Sequence, residues 1–273
     1  MKFLVILTIV LVYKYWSHRR YWRDQVPFVK YQNWFLARSL TPRSQYLLCV
    51  GLPVLAVFTL SVLLATGIWT IFWLLLSLIV LGYSIGNNNL GQRVTNQGQW
   101  LRGLSGDEPL AGLKVQQDQY LEKTTYANFQ GIYPVIFWFL LVGPAGALAY
   151  GLSRMYLKNL GYEDSRSQQV EAVLYWMEWL PARLTGFMFA LLGNFGRCFD
   201  AWVAGLFDVE QSHSEWLCSL LGMAIDKSDY QDINTVSGFV QRARQDLKAS
   251  KELLERSLFG WLGLAAILAI VGW

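Results

Sequence analysis

Hydrophobic and polar positions follow one another along this chain in long blocks. The first, KFLVILTIVLVYKYW, is apolar between Lys2 and Lys14 and closes on Tyr13, Tyr15 and Trp16. Lysines at both ends and aromatic rings at one end predict a short first span whose lysines snorkel to the two membrane surfaces. No small-residue cleavage site comes after it, so the block reads as a span and not as a signal peptide. Gln45 to Ser84 is almost uncharged and long enough for two helices of about twenty residues each, turning near Ala65-Thr66-Gly67. Tyr133 to Tyr150 is apolar too, and its Gly143-Pro144 predicts a kink or a parting of the helix. Trp179 to Phe207 is apolar but carries Arg183, and the last apolar block is Phe259 to Trp273.

These blocks predict an all-α, polytopic integral membrane protein of five or six transmembrane helices, organised as one membrane domain. The spans fall at 2–16, 46–64, 68–84, 132–152 and 258–273, with 180–206 a sixth that either crosses or re-enters. The polar segments 86–131 and 208–257 are expected to be helical and cytoplasmic. Asp118 to Gln130 suits a helix feeding the fourth span. From Val236 onward, Val240, Ala243, Leu247, Leu254 and Leu258 keep helical spacing, with Ser250 inside the stripe and no proline. That spacing predicts one helix running into the last span. Its stripe either packs on the protein's own elements or offers the 236–258 helix to a partner protein.

Composition adds the solvent. With 54% hydrophobic and 15% aromatic residues against 15% charged, the chain departs from a soluble domain, and its first partner is the lipid bilayer. Its net charge of +4 is small and localised. Lys14, Arg19, Arg20, Arg23, Lys30, Arg38 and Arg43 stand against the single acid Asp24, which makes this loop cytoplasmic by the positive-inside rule. The amino terminus then faces outward, and Gly86 to Gly131 returns to the cytoplasm. Arg154 to Gln169 falls outside unless the fourth span is re-entrant. No basic surface interleaved with aromatics points to nucleic acid.

Candidate chemistry is sparse. Cys49, Cys198 and Cys218 are widely spaced, and His18 and His213 lie far apart, so neither a metal site nor a disulfide framework is signalled. No phosphate-cradling GxxxxGK[ST], no GxSxG and no HExxH occurs, so no catalytic residue and no cofactor is expected. Asp107-Glu108, just before Pro109, reads as a solvated turn. Glu171 and Glu178 share a helix face, which aims them at a cavity or cation, or pairs them with Arg154 or Arg183. Pro181 suits the first turn of a helix, so Leu180-Pro181 is expected to start one and to hold Arg183 near an interface or cavity mouth. Three fates are open to Arg183: lipid phosphate, a pair with Glu178 or Glu171, or an anionic small molecule such as a muropeptide or nucleotide.

GIYPVIFWFLLVGPAGALAY (Gly131 to Tyr150), with Gly143, Pro144 and Gly146, is followed about thirty residues later by YWMEWLPARLTGFMFALLGNF (Tyr175 to Phe195), with Pro181 and Asn194. This pair resembles the paired motif of the AmpE and CobD/CbiB superfamily of bacterial inner-membrane proteins. The lead-in Tyr126-Ala127-Asn128-Phe129 and the order of spans are similar to the AmpE branch. The resemblance implies a multi-pass inner-membrane protein linked to control of inducible β-lactamase, working beside a cytosolic amidase that cleaves recycled muropeptides. The CobD/CbiB branch joins an aminopropanol arm to a corrin ring with ATP. Where that branch carries an aspartate pair before PARL, this chain has Leu174-Tyr175, and after GPAGALAY it reads GLSRMYLKN. Ligase chemistry needs groups that organise magnesium and phosphate. The substitutions argue against synthase activity and leave the scaffold intact.

Overall fold

A computed structural model describes residues 2–16, 26–38, 41–65, 69–85, 90–104, 109–160, 166–227, 230 and 232–271. His18, Arg19 to Asp24, the Thr66-Gly67 turn and the Asp107-Glu108 pair lie outside the described residues. Among the described residues every regular element is helical: α1 (Lys2–Trp16), α2 (Val26–Leu36), α3 (Pro42–Leu64), α4 (Thr70–Ser84), α5 (Leu90–Arg102), α6 (Leu110–Val142), α7 (Pro144–Leu160), α8 (Ser167–Leu192), α9 (Phe195–Ala204), α10 (His213–Ala224) and α11 (Val236–Ile270). Three of these, α3, α6 and α11, are long and apolar enough to cross a membrane, and the segments Lys2–Val12 and Thr70–Ser84 are shorter apolar helices. The molecule is an all-α polytopic membrane protein.

The chain divides into two compact units, one of residues 1–87, 131–179 and 262–273, the other of 88–130 and 180–261. In the first unit the local sequence sets the helix ends. Thr41 caps α3 by accepting the Ser44 amide at 3.3 Å, and Pro42 occupies the first turn, where its missing N–H costs nothing. Gly143 has φ +82, a left-handed conformation that favours glycine, and Pro144 opens α7 at once. The expected span 132–152 is thereby parted into the end of α6 and the start of α7.

Helix α7 is the buried centre of this unit, packed against α3, α4 and α2. A β-carbon on Gly151 would lie 2.9 Å from Ser84 Cα, so α4 and α7 meet backbone to backbone. Phe139, near the end of α6, meets Trp73 near the start of α4, with ring centroids 6.5 Å apart. The second half of α7 sits by the start of α3: Tyr46 Oη and Ser153 Oγ are 2.7 Å apart. Gln32 Nε2 donates to the Tyr156 carbonyl at 3.1 Å and Gln32 Oε1 accepts from Asn159. Around this centre α3 and α4 turn apolar side chains outward, among them Leu55, Phe58, Leu63, Ile71 and Leu75. Exposed apolar surface of that extent belongs against lipid.

The second unit is built differently. Leu101, Leu113, Leu121, Tyr230, Phe239, Ala243 and Leu247 form its buried cluster, with Val240 packed against it. The stripe read from the sequence of α11 is thus turned inward, and Ser250 satisfies its hydroxyl on the Asp246 carbonyl at 2.7 Å. Polar pairs are buried alongside. Gln97 Nε2 donates to Gln117 Oε1 at 2.8 Å, and Tyr230 Oη donates to Asp246 Oδ2 at 2.6 Å. Burial, then the bond and the charge of Asp246, push the Tyr230 hydroxyl well above the usual tyrosine range.

Candidate functional site: a buried arginine and a charged groove

Pro181 does not start a helix. Helix α8 runs unbroken from Ser167 to Leu192 with Pro181 inside it. A proline in mid-helix leaves the carbonyl four residues earlier without its amide, here Met177. Trp138 Nε1 donates to that carbonyl at 3.0 Å. The indole replaces the lost hydrogen bond, which is the physical reason the helix continues. Arg183 therefore lies deep in a helix and not in a first turn, and it is 3% exposed.

The arginine spans two elements of the second unit. Its Nε donates to the Leu206 carbonyl at 2.9 Å and its Nη2 to the Asp208 carbonyl at 2.5 Å, both in the turn after α9. The guanidinium carbon lies 4.3 Å from the centre of the Trp216 ring on α10. Trp202 Nε1 returns a bond to the Arg183 carbonyl at 2.8 Å. Two glycines admit the Trp216 ring: a β-carbon on Gly186 would lie 2.6 Å from its edge, and one on Gly205 would collide with its Nε1. A planar, weakly hydrated guanidinium suits this place, because it stacks on an aromatic face while its edge donates to carbonyls.

The other predicted site residues lie on α6, α7 and α8 and at the start of α9. Glu178 is 1% exposed and accepts from Tyr150 Oη at 2.8 Å. Glu171 is exposed, so the shared helix face does not bring the two carboxylates into one cavity. Val170 and Leu174 are buried at the level of Glu171, so α8 is packed there on another side while the side that carries Glu171 is open. Arg154 is half-buried on α7, and Asn128 is buried on α6. Asn194 is the exposed N-cap of α9, its amide donating to the Ala224 carbonyl at 3.0 Å. Gly146 is a packing residue, since a β-carbon there would lie 2.6 Å from the Trp138 carbonyl oxygen.

Sequence reasoning missed a groove of about 630 Å³ in the second unit, lined by Asp118, Glu122, Arg197, Glu215, Asp226 and Lys227 with Cys218 and Ser219. Lys227 Nζ pairs with Asp118 at 2.5 Å, Arg197 pairs with Asp226, and Ser214 donates to Glu122 at 2.7 Å. Asp226 has φ 54 and ends α10: the Lys227 amide reaches the Gly222 carbonyl at 2.8 Å and the Asp226 amide the Met223 carbonyl at 3.3 Å. This is a Schellman closure with aspartate where glycine is usual. Burial pushes the Cys218 thiol up to about 11, with Lys227 pulling against it and Glu122 and Asp118 adding to it. Such a thiol is a poor nucleophile at neutral pH. Four carboxylates against two cations make the groove unfavourable for an anion. Among the described residues no cluster of His, Cys, Asp and Glu is gathered to hold a metal ion. The only advance signal of the groove was the helical spacing of Glu215, Cys218, Ser219 and Gly222.

Lipid-facing helices joined to a polar helical unit define a membrane-embedded helical protein, and the sequence comparisons specify which kind. The sequence profile described as "Regulatory signalling modulator protein AmpE" matches residues 102–248, and the chain belongs to this family. It is 23% identical over 241 residues to Protein AmpE of Shigella flexneri, covering 80% of this chain and 82% of that relative. No solved structure matches.

Proposed function

We propose that this chain modulates cell-wall-stress signalling from the bacterial inner membrane, in connection with β-lactamase induction and muropeptide recycling, without a chemical step of its own. The family match carries the reading. It covers most of the polar unit, while the lipid-facing helices α1, α3 and α4 lie outside it. In this reading the first unit anchors and the second signals.

The proposed topology puts the basic loop and the polar unit in the cytoplasm. The bonds of Ser153, Tyr156 and Asn159 to Tyr46 and Gln32 support a returning α7, with Arg154 and the end of that helix on the cytoplasmic face and not outside. A partner protein on α11 would use the face carrying Arg242, Gln245, Lys248 and Glu252, because the apolar stripe is buried. An anionic ligand would need a receptor other than the Arg183 edge that already serves two carbonyls. In a clean deletion strain β-lactamase induction should change, and the restored gene should return it. Unchanged induction on deletion would remove the proposal.

A further inference from the structure

The expected sixth span, 180–206, is broken at Gly193-Asn194, and the helix beyond the break is not shaped to cross a bilayer. Helix α9 has ten residues, about 15 Å at the helical rise, half the thickness of a hydrocarbon core. Phe195, Phe199, Trp202 and Val203 fall within an arc of about 100° on it. The rings of Phe195 and Phe199 stack at 4.9 Å and those of Phe199 and Trp202 at 5.9 Å. Trp202 is the inner anchor, bonded to the Arg183 carbonyl. The outer part of the face stays open: Phe195 is 47% exposed and Val203 48%, and beyond the helix Phe207 is 79% and Val209 51% exposed. Arg197 and Asp200 point elsewhere, and Arg197 is engaged with Asp226.

This face continues a lipid-facing surface. Gly260 of α11 packs on Met188 and Leu192 of α8, with Met188 Sδ 3.0 Å from the position of a β-carbon. Gly260 and the half-exposed Phe259 belong to the apolar end of α11, a helix long enough to span. The end of α8 is thus level with the entry of α11 into the bilayer, and Leu191, also exposed, leads directly to Phe195. An uncharged aromatic face at that depth matches the headgroup boundary, where amphipathic rings settle.

We propose that α9 and the turn after it, residues 195–209, lie flat in the membrane interface, with Phe195, Val203 and Phe207 among the lipid acyl chains. Because Leu206 and Asp208 of this segment hold the Arg183 side chain, the interfacial helix ties the arginine clamp to the membrane surface.

The test uses the full chain in vesicles of dioleoyl phosphatidylcholine, with its three cysteines replaced by alanine and one environment-sensitive fluorophore placed through Phe207→Cys, Val203→Cys or Asp200→Cys. Emission from positions 207 and 203 should be blue-shifted relative to 200 and fall by about half when brominated lipid replaces part of the bilayer. Water-like emission at 207 and 203 overturns the proposal. Blue-shifted emission that ignores bromine and grows with protein density also overturns it, in favour of a second copy on this face. If Phe207→Cys does not reconstitute, Val203→Cys decides by the same readings.

Discussion

The two units are both bundles of helices, but their polarity is arranged in opposite ways. In the first, α3 and α4 carry apolar side chains outward, and the centre is α7, with small residues that let backbones touch. In the second, charges line the outside of α11 and a groove, while the inside mixes an apolar cluster with the Gln97–Gln117 and Tyr230–Asp246 pairs and the Arg183 clamp. Where lipid surrounds the helices, burying apolar surface gives little drive for association, so close approach and dispersion must hold them. Where the surroundings are polar, a Leu, Tyr and Phe cluster supplies the drive, and the buried side chains of Gln97 and Gln117 and of Tyr230 and Asp246 are bonded in pairs.

Three changes would sharpen that contrast. The largest effect is expected at Trp216→Ala, which removes the stacking face of Arg183 and empties the space between Gly186 and Gly205. It should cost about 3 to 5 kcal/mol, as large aromatic truncations do. The loss should fall on the second unit, read by hydrogen exchange of α10 amides in detergent, with those of α7 retained. Equal loss in α7 would mean that the units do not unfold separately.

A smaller effect, about 1 to 3 kcal/mol, is expected from Gly151→Ala, which forces a methyl against Ser84 backbone. Gly51→Ala in α3 is the control, since nothing lies within 4 Å of the added carbon. Thermal unfolding should separate the two, with Gly51→Ala neutral or slightly stabilising. Matching losses would refute backbone approach as the organising contact of this unit.

The smallest effect concerns alkaline pH. Tyr230 titrates higher folded than unfolded, so its contribution is fully present below about pH 10, the usual tyrosine value, and is lost as pH rises through the folded value. Wild-type melting temperature should therefore fall more steeply above pH 10 than that of Tyr230→Phe, which should be about 1.5 kcal/mol less stable at neutral pH, the lower end for a bond to a charged acceptor. Parallel curves would remove this bond from the stability of the second unit.

Much of the architecture is readable from the sequence, for identifiable reasons. Helical type and the long α11 come from periodicity and the lack of prolines, and the family resemblance rests on a motif pair that the profile match includes. Pro181 misleads because proline's local preference for a first turn says nothing about Trp138, thirty-nine residues before Met177, whose indole repairs the helix. The shared-cavity reading of Glu171 and Glu178 fails because helical spacing gives a side chain its direction and not its surroundings, and Glu171 is exposed where Glu178 is buried.

The sequence by itself determined where the chain is apolar, that its elements are helices, and that Gly143-Pro144 parts one of the expected spans, because those properties depend on neighbours along the chain. Tertiary structure alone decided that Arg183 ends on two carbonyls and a tryptophan face, that Trp138 caps Met177, and that distant acids and bases share one groove. A buried polar group takes whichever partner the packing brings within about 3 Å, and that partner is set by how helices far apart in sequence come together.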